Sequence, residues 1–192
     1  MLEIEKDLTL KGFRYIAGVD EAGRGPLAGP VVSASVIFPS NIKPFVPADS
    51  KKLSKREREE LYYQIKESAL SVGIGVVDNT VIDKINILNA TKLAMKRAVR
   101  DLKMKIEVLI SDYVNLEEYY CFALKKADEI SHTVAASSIV AKVYRDKIME
   151  EFAKIYPHSF DKHKGYPTKQ HIEELKKYGV SPIHRKSFRL SF

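Results

Sequence analysis

Four acidic residues of the sequence follow apolar segments. Asp20 and Glu21 follow segment 15–19, Asp112 follows IEVLIS, and Asp128 follows YYCFALKKA. Carboxylates with no cysteine or histidine ligands among them favour hard cations such as Mg²⁺ or Mn²⁺. Four acids held together would repel one another strongly unless a metal neutralised them. The pattern therefore indicates a site for divalent cations.

A glycine-rich turn, Gly23-Arg24-Gly25, comes directly after the first two acids. Glycine permits positive φ and a close approach of the backbone to a ligand, and Arg24 can offer a planar fork of donors to a phosphate. Neighbouring residues of an extended strand point to opposite faces, so Asp20 and Glu21 can share one site only if the strand is turning at Glu21. The alternative is a pair of solvated acids before an ordinary tight turn.

The composition favours a globular chain with a basic surface. The 192 residues include 32 Lys and Arg against 25 Asp and Glu, which gives a net charge of +7. An excess of positive charge is what a surface that binds nucleic acid requires. Cys121 is the only cysteine, which excludes an internal disulfide and a cysteine-built zinc site. No run approaches the roughly 20 apolar residues of a membrane span, and the N-terminal stretch has no features of a secretory signal. We therefore expect a cytoplasmic chain of one domain, residues 1–192, with no membrane partner.

The elements that must position these residues follow from hydrophobic periodicity and from capping signals. Ser54 with Glu57 forms a capping box before one helix, and Gly179 and Pro182 end the last one. The patterns predict strands over 15–19, 31–38, 71–77, 106–110 and 119–124, and helices over 55–70, 87–102, 132–155 and 168–178. This order implies an α/β fold with a mixed five-stranded sheet, helices on both faces and a C-terminal helical segment over approximately 160–192.

Four longer motifs carry the most specific information. They are GVDEAGRGPLAGPVV (18–32), DSKKLS (49–54), HTVAASSIVAKVYRD (132–146), and HKGYPTKQH with SPIHRKSF (163–171 and 181–188). Together they resemble the ribonuclease HII family over residues 15–188, and their order and spacing make the combination specific. The sequence departs from the family at three positions. Tyr113 and Ala127 stand where the family usually has glycine beside its third and fourth acids, and Ser137 stands where alanine is usual.

The resemblance implies a ribonuclease H-like fold and a metal-dependent endonuclease. Such an enzyme cuts the RNA strand of RNA/DNA hybrids and nicks 5′ of ribonucleotides embedded in duplex DNA, as DNA replication and repair require. The family's four metal-binding acids fall on Asp20, Glu21, Asp112 and Asp128. The resemblance also implies that the loop Gly23, Arg24 and Gly25 recognises the ribose 2′-hydroxyl and that Tyr166 stacks on the following deoxyribose.

Two divalent ions, Mg²⁺ or Mn²⁺, can hydrolyse a phosphodiester when a carboxylate bridges them. Asp20 is assigned the bridging role, with Glu21 and Asp112 completing one ion site and Asp128 the other. A water nucleophile predicts a 5′-phosphate and a 3′-hydroxyl at the cut. Phosphate contacts that give affinity without sequence preference are expected from Lys51, Lys52, Lys142 and Arg185, the last together with His184 and Lys186. We expect the chain to act as a monomer.

Three alternatives stay open. A 3′–5′ exonuclease would also use clustered acids, but it gives no reason for the Gly-Arg-Gly loop. A non-catalytic module for structured RNA would explain the positive charge but not the acids. His158, His163 and His171 flank Tyr166 and could form a zinc site, although their spacing resembles no known ligand pair; Tyr166 itself could be a packed aromatic residue.

Overall fold

A computed structural model of the chain describes residues 3–47 and 53–189. Five strands of these ranges form one sheet in the order β3-β2-β1-β4-β5. The strands are β1 (Ile16–Ala22), β2 (Val31–Ile37), β3 (Ser71–Val77), β4 (Val108–Asp112) and β5 (Cys121–Leu124). The helices are α1 (Glu3–Leu10), α2 (Lys55–Ser68), α3 (Asn79–Asp101), α4 (Ala127–Ile130), α5 (His132–Ile155), α6 (Phe160–His163) and α7 (Lys169–Tyr178).

Strand β1 lies at the centre of the sheet, between strands of opposite direction. It pairs antiparallel with β2, which pairs antiparallel with β3. On its other side it pairs parallel with β4, which pairs parallel with β5. The predicted mixed five-stranded sheet is therefore confirmed. Because β1 and β4 are parallel neighbours, their carboxyl ends lie side by side.

Two long helices cover opposite faces of the sheet. Ile139 of α5 shares an apolar core with Val36 of β2 on one face. On the other face Met95 of α3 shares a core with Val19 of β1 and Ile37 of β2. Neighbouring strand residues such as Val36 and Ile37 point to opposite faces, which is why all seven residues of β2 are buried. The prediction of helices on both faces is confirmed.

Helix α5 lies unusually close to β1 at Gly18. A Cβ atom on Gly18 would overlap the backbone of Thr133 and Val134 in the first turn of α5. Protein interiors are packed densely, so no space exists for that atom unless the helix moves. Glycine at this position allows the helix backbone to contact the strand backbone.

Most predicted elements are present, with shifted ends. The capping box of Ser54 and Glu57 opens α2 as predicted, and Thr168 and Gly179 flank α7. Helix α3 is longer than predicted: it begins at Asn79, after an Asp78 cap, and its backbone is broken at Asn86, where φ is +64°. This break interrupts the helical period, which explains why the sequence pattern revealed only the part after it.

Three helices were not predicted, namely α1, α4 and α6. The last two have four residues each, too short to show a hydrophobic period. Helix α1 buries only Glu5 and Leu8, so its apolar stripe is weak. None of the helices within residues 3–47 and 53–189 combines the length and the apolar character needed to cross a membrane.

The contact at Gly18 generates the first prediction. Gly18→Ala should destabilise the chain by about 3 kcal/mol or more, because the backbone atoms that meet the new methyl group cannot turn aside. Gly12→Ala is the matched control: φ at Gly12 is +97° but no atom lies within 4 Å of its Cβ position. Its cost should be only about 1 kcal/mol, from the left-handed backbone alone. Urea denaturation of both variants measures the difference, and equal costs would show that α5 can move away from β1.

Candidate active site

Asp20 and Glu21 occupy the carboxyl end of β1. Asp20 is 6% exposed, and its Oδ1 accepts a hydrogen bond from the Glu21 amide at 2.7 Å. Burial raises the pKa of Asp20 well above its usual value, and the Glu21 charge raises it further. Burial also raises the pKa of Glu21, although the Arg24 guanidinium opposes this shift. The expected turn at Glu21 is wrong, because the strand remains paired with β2 through Ala22; instead the Asp20 carboxylate bends toward Glu21.

Asp112 ends β4, the strand beside β1. Burial is the largest cause of the raised pKa values of Asp20 and Glu21. The charge of Asp112 raises both pKa values further, by a smaller amount. Its Oδ1 also accepts a hydrogen bond from the Ala127 amide at 3.0 Å. Asp128, the next residue, is 5% exposed. The structure therefore brings three of the predicted acids together and places the fourth on the segment bonded to them.

The chemistry of this donor set fits hard divalent cations. All its ligand atoms are carboxylate oxygens, and Glu21 Oε2 is buried without a hydrogen-bond partner. Within residues 3–47 and 53–189, no three Asp, Glu, His or Cys side chains already surround a point that would hold an ion. Binding therefore requires the carboxylates to rotate toward a common centre. Their mutual repulsion opposes that movement, and the positive charge of a bound cation would offset it.

A cavity of about 290 Å³ opens beside the acids. Its lining includes Glu21 and Gly23 from the end of β1, Ser138 and Lys142 of α5, Arg58 of α2, and Tyr166. The Ser138 side chain hydrogen-bonds to Asp20. Ser138 and Arg58 were not among the residues that the sequence predicted for the site. Ser138 lies within the motif 132–146, so that motif could have indicated it. Nothing in the sequence distinguishes Arg58 from the other cationic residues of helix α2.

Tyr166 faces the glycine loop. A Cβ atom on Gly25 would lie 3.8 Å from the Tyr166 ring, and Tyr166 is 38% exposed. Lys142 Nζ and the Arg145 guanidinium lie 5.9 and 5.8 Å from the ring centre. Arg24 Nη1 lies 3.2 Å from Glu21 Oε1, so this guanidinium contacts a carboxylate of the site. Tyr166 is therefore a partly exposed side chain at the cavity and not a residue of the buried core.

A family model described as Ribonuclease HII matches residues 17–192. The chain belongs to the ribonuclease HII family. It is 58% identical over 189 residues to ribonuclease HII of Aquifex aeolicus, covering 98% of this chain and 96% of that protein. It is 54% identical over 192 residues to ribonuclease HII of a Sulfurihydrogenibium species, covering 99% and 98%. Ribonuclease H2 of Pyrococcus horikoshii has a similar structure, with a TM-score of 0.76, 27% identity and coverage of 91% and 93%.

Membership of the ribonuclease HII family gives the chain a metal-dependent endonuclease activity that cleaves RNA in RNA/DNA hybrids and at embedded ribonucleotides.

The three departures from the family pattern have structural explanations. Tyr113 has φ of +62° and is 73% exposed, so a side chain replaces glycine in a left-handed turn without a clash. In the segment before Asp128 the residue with positive φ is Lys126, at +59°, and not Ala127. Position 127 therefore does not require glycine. Ser137 Oγ donates to Gly18 O at 3.0 Å.

Two buried arginines hold the glycine loop of this ribonuclease HII family member. Arg145 donates to the carbonyls of Pro30, Ala28 and Lys164 at 3.0–3.1 Å. Arg185 donates to the carbonyls of Gly23, Arg24, Gly29 and Pro30 at 2.6–3.2 Å. Gly23 has φ of +95°, and a Cβ atom there would overlap the Arg145 side chain. Two of these seven hydrogen bonds hold the glycine loop itself, at Gly23 and Arg24, four hold residues 28–30 that follow it, and one holds Lys164.

The predicted phosphate contact from Arg185 is wrong, since its side chain is fully buried and its donors face loop carbonyls. Burial lowers its pKa, but a guanidinium stays charged at neutral pH. His184 is also buried, whereas Lys186 is exposed. Lys142 lines the cavity and bonds to Asp146 at 2.7 Å. Lys51 and Lys52 lie outside the described residues.

A chain of hydrogen bonds through two histidines positions Tyr166. The Ser181 amide donates to His184 Nδ1 at 2.8 Å, so the proton of neutral His184 must lie on Nε2. That nitrogen is 3.1 Å from His171 Nε2, and His171 Nδ1 is 2.9 Å from the Tyr166 carbonyl. Each contact has one donor and one acceptor only if both imidazoles are neutral.

The remaining histidines do not support the zinc alternative. His163 Nδ1 accepts from the Gly165 amide, and its Nε2 lies 3.0 Å from Glu174 Oε2. His158 Nε2 lies 2.9 Å from the Gly179 carbonyl. The ring nitrogens are thus mostly committed to hydrogen bonds, and no metal-holding group of residues was found in the described part of the chain.

The role of Arg185 can be tested by Arg185→Met. We expect a loss of about 3 kcal/mol of unfolding free energy, because several buried carbonyls lose their donor. Lys186→Met, an exposed neighbour, should change stability by no more than about 0.5 kcal/mol. Urea denaturation measures both. If Arg185→Met kept full stability and instead flattened the salt dependence of substrate binding, Arg185 would contact phosphate after all.

The histidine chain predicts sensitivity to acid. Burial is the main cause that lowers the pKa of His171 and of His184 to about 4. The folded state then binds fewer protons than the unfolded state between about pH 6.5 and pH 4, so stability falls as pH falls through this window. The expected loss is roughly 3 kcal/mol for the first proton of the pair. Unfolding free energies of the unmodified chain and of His184→Gln, measured from about pH 7 to about pH 4.5, should show a shallower decline in the variant.

Proposed function

We propose that the cavity at the carboxyl end of β1 is where the RNA strand is cut, with Asp20, Glu21, Asp112 and Asp128 holding two divalent cations. The observation that supports this proposal is the meeting of carboxylates from two neighbouring strands, with Asp20 buried and Glu21 and Asp112 partly buried. One of their oxygens, Glu21 Oε2, has no partner. Oxygen donors of this kind accommodate both Mg²⁺ and Mn²⁺.

When bound, paired divalent cations make water a stronger nucleophile and stabilise charge on the leaving oxygen of a phosphodiester. Asp20 would help to hold both cations, Glu21 and Asp112 would complete the binding of one, and Asp128 would hold the other. The hydrogen bonds from the Glu21 amide and from Ser138 orient the Asp20 carboxylate. Water attacks phosphorus, and the bond to the 3′ oxygen breaks. The products carry a 5′-phosphate and a 3′-hydroxyl, and cleavage falls 5′ of an embedded ribonucleotide.

Recognition of the ribose is assigned to the glycine loop, residues 23–25. Only the 2′-hydroxyl distinguishes RNA from DNA at a given nucleotide, and backbone groups in a fixed loop can bond to it without ordering a flexible side chain. The two bonds from Arg185 to the carbonyls of Gly23 and Arg24, with the four arginine bonds to residues 28–30, supply that rigidity. The exposed part of Tyr166 then stacks on the sugar that follows.

Phosphate binding is assigned to the cations that border the cavity. Lys142 and Arg58 line it, and Arg24 extends from the loop with a side chain that is 43% exposed. The buried charges of Arg145 and Arg185 add a positive potential behind the loop. Such contacts position the duplex without selecting a sequence. A monomer acting as a single domain stays part of this proposal.

The test is Asp20→Asn assayed on a DNA duplex with one ribonucleotide, in Mg²⁺ or Mn²⁺. The unmodified chain should make one internal nick. Asp20→Asn should keep substrate binding and lose more than about 100-fold in rate, since even the loss of a partner outside the coordination sphere typically costs 10- to 100-fold. Analysis of the cut ends should show a 5′-phosphate and a 3′-hydroxyl.

Asp7→Asn is the matched control, because Asp7 is an exposed acid of α1, and its activity should not change. A second measurement is thermal unfolding. Without metal, Asp20→Asn should melt about 2–4 °C higher than the unmodified chain, which corresponds to roughly 1 kcal/mol of relieved repulsion. Added Mg²⁺ or Mn²⁺ should stabilise only the unmodified chain. Stepwise shortening of the substrate would indicate an exonuclease, retention without cutting a binding module, and a 2′,3′-cyclic phosphate a different nucleophile.

A further inference from the structure

Tyr113 lies at the carboxyl edge of the sheet, directly after Asp112 of β4. Its amide donates to the Leu124 carbonyl of β5 at 2.9 Å, and the Val114 amide donates to the Asp112 carbonyl at 2.8 Å. With φ of +62° at Tyr113, this second bond closes a γ-turn of the rare and strained form. A tyrosine therefore occupies the centre of a turn that glycine would adopt at lower cost.

Packing of the Tyr113 side chain does not offset this strain. The residue is 73% exposed, and in the part of the chain that the structure describes its ring and hydroxyl have no hydrogen-bonding, ionic or aromatic partner. A buried ring can offset a strained backbone through the apolar area that it removes from water, but an exposed ring cannot. Strained residues of this kind cluster where proteins contact ligands, and Tyr113 borders a carboxylate of the candidate active site.

Two exposed lysines follow the strand to which Tyr113 is bonded. Lys125 and Lys126 come directly after Leu124, whose carbonyl accepts from the Tyr113 amide. Lys126 pairs with Glu129 at 2.8 Å, whereas Lys125 has no ion pair within residues 3–47 and 53–189. An exposed aromatic ring together with an unpaired cation is typical of surfaces that bind nucleic-acid strands.

Tyr113 and Tyr166 lie on opposite sides of the acids. The cavity that contains Tyr166 is lined from the end of β1 and from α2 and α5. The amide of Tyr113 is bonded to β5, which is on the far side of β4 from β1. In the proposed function Tyr166 stacks on the sugar that follows the ribonucleotide, and the acids lie at the cut. A strand that crosses the site in this direction places the nucleotides before the cut over β4 and β5.

We propose that the ring of Tyr113 contacts sugars of the cleaved strand on the 5′ side of the cut, and that Lys125 binds a phosphate there. This inference rests on the proposed function, because the acids must mark the cut. In a duplex the bases are paired and stacked, so an exposed ring and a lysine meet the sugar–phosphate backbone. The family usually has glycine at position 113, so the contact adds affinity that members with glycine lack.

The test is Tyr113→Gly, in which stability and substrate binding should change in opposite directions. Glycine relieves the strained turn and the lost ring covers little apolar area, so the melting temperature should rise by about 2 °C. On a DNA duplex with one ribonucleotide, KM should rise about tenfold with kcat unchanged, because the contact is made equally before and during cleavage. Tyr113→Phe, which keeps the ring, should keep the KM of the unmodified chain. An unchanged KM in Tyr113→Gly overturns the proposal.

Two control variants match these changes away from the carboxyl edge of the sheet. Tyr120 is 62% exposed but precedes β5 at its amino end, so Tyr120→Ala should leave KM unchanged. Lys125→Met should lower the slope of log affinity against log salt by about 1. Lys105→Met, at an exposed lysine before the amino end of β4, should not change that slope. Equal slopes for the two lysine variants contradict the phosphate contact.

Shortening the duplex decides on which side of the cut Tyr113 acts. Stepwise removal of base pairs 5′ of the cut should bring the KM of the unmodified chain to that of Tyr113→Gly, whereas removal 3′ of the cut should leave their ratio unchanged. The reverse pattern contradicts the 5′ placement. Duplex affinity, measured with Asp20→Asn present to prevent cutting, separates the two proposals. Binding without any cutting by the unmodified chain would refute the proposed function, whereas equal affinities with and without the Tyr113 ring would refute this inference alone.

Discussion

The contact between the backbone of β1 and helix α5 is the constraint on which the other features depend. Gly18 allows this contact, because any larger residue would overlap the first turn of the helix. The helix then delivers side chains to three separate places: Ser138 to Asp20, Lys142 and Arg145 to the cavity and the glycine loop, and His132 to the backbone amides of Phe45 and Val46. A shift of α5 away from the sheet would disturb all three together, since the helix is one rigid element.

The candidate active site combines several acidic side chains with two buried arginines that do not pair with them. The acids repel one another and are buried, which raises the pKa of Asp20 and of Glu21. The buried guanidiniums of Arg145 and Arg185 bond to backbone carbonyls, which leaves the acids available to cations. Such an arrangement lowers the stability of the metal-free chain, as binding sites often do. The stability is recovered from the two apolar cores on either side of the sheet.

The C-terminal segment supports the site without contributing to its acids. The carbonyl of Gly165 accepts from the Leu27 amide, and the Arg185 amide donates to the Leu27 carbonyl. The histidine chain from Ser181 to Tyr166 lies just behind these contacts. The glycine loop is thus enclosed between α5 and the chain terminus. A loop held on both sides can discriminate a single hydroxyl group, because its donors and acceptors do not move to suit another ligand.

The local features and the family can be recognised from the sequence alone. The Ser54 capping box, the bounds of α5 and the five strands depend on neighbouring residues, so pattern and capping chemistry reveal them. The glycine-rich motif pointed to Asp20 and Glu21, and an apolar segment pointed to Asp112, which follows it; the structure brings these three acids together. Only the tertiary structure decided which charges face inward: Arg185 bonds to the carbonyl of Gly23 across 162 positions, and Glu5 meets Ser131 across 126. The type of a charged residue does not reveal whether its side chain is solvated or buried. Its partners come from distant chain segments that no local sequence pattern connects.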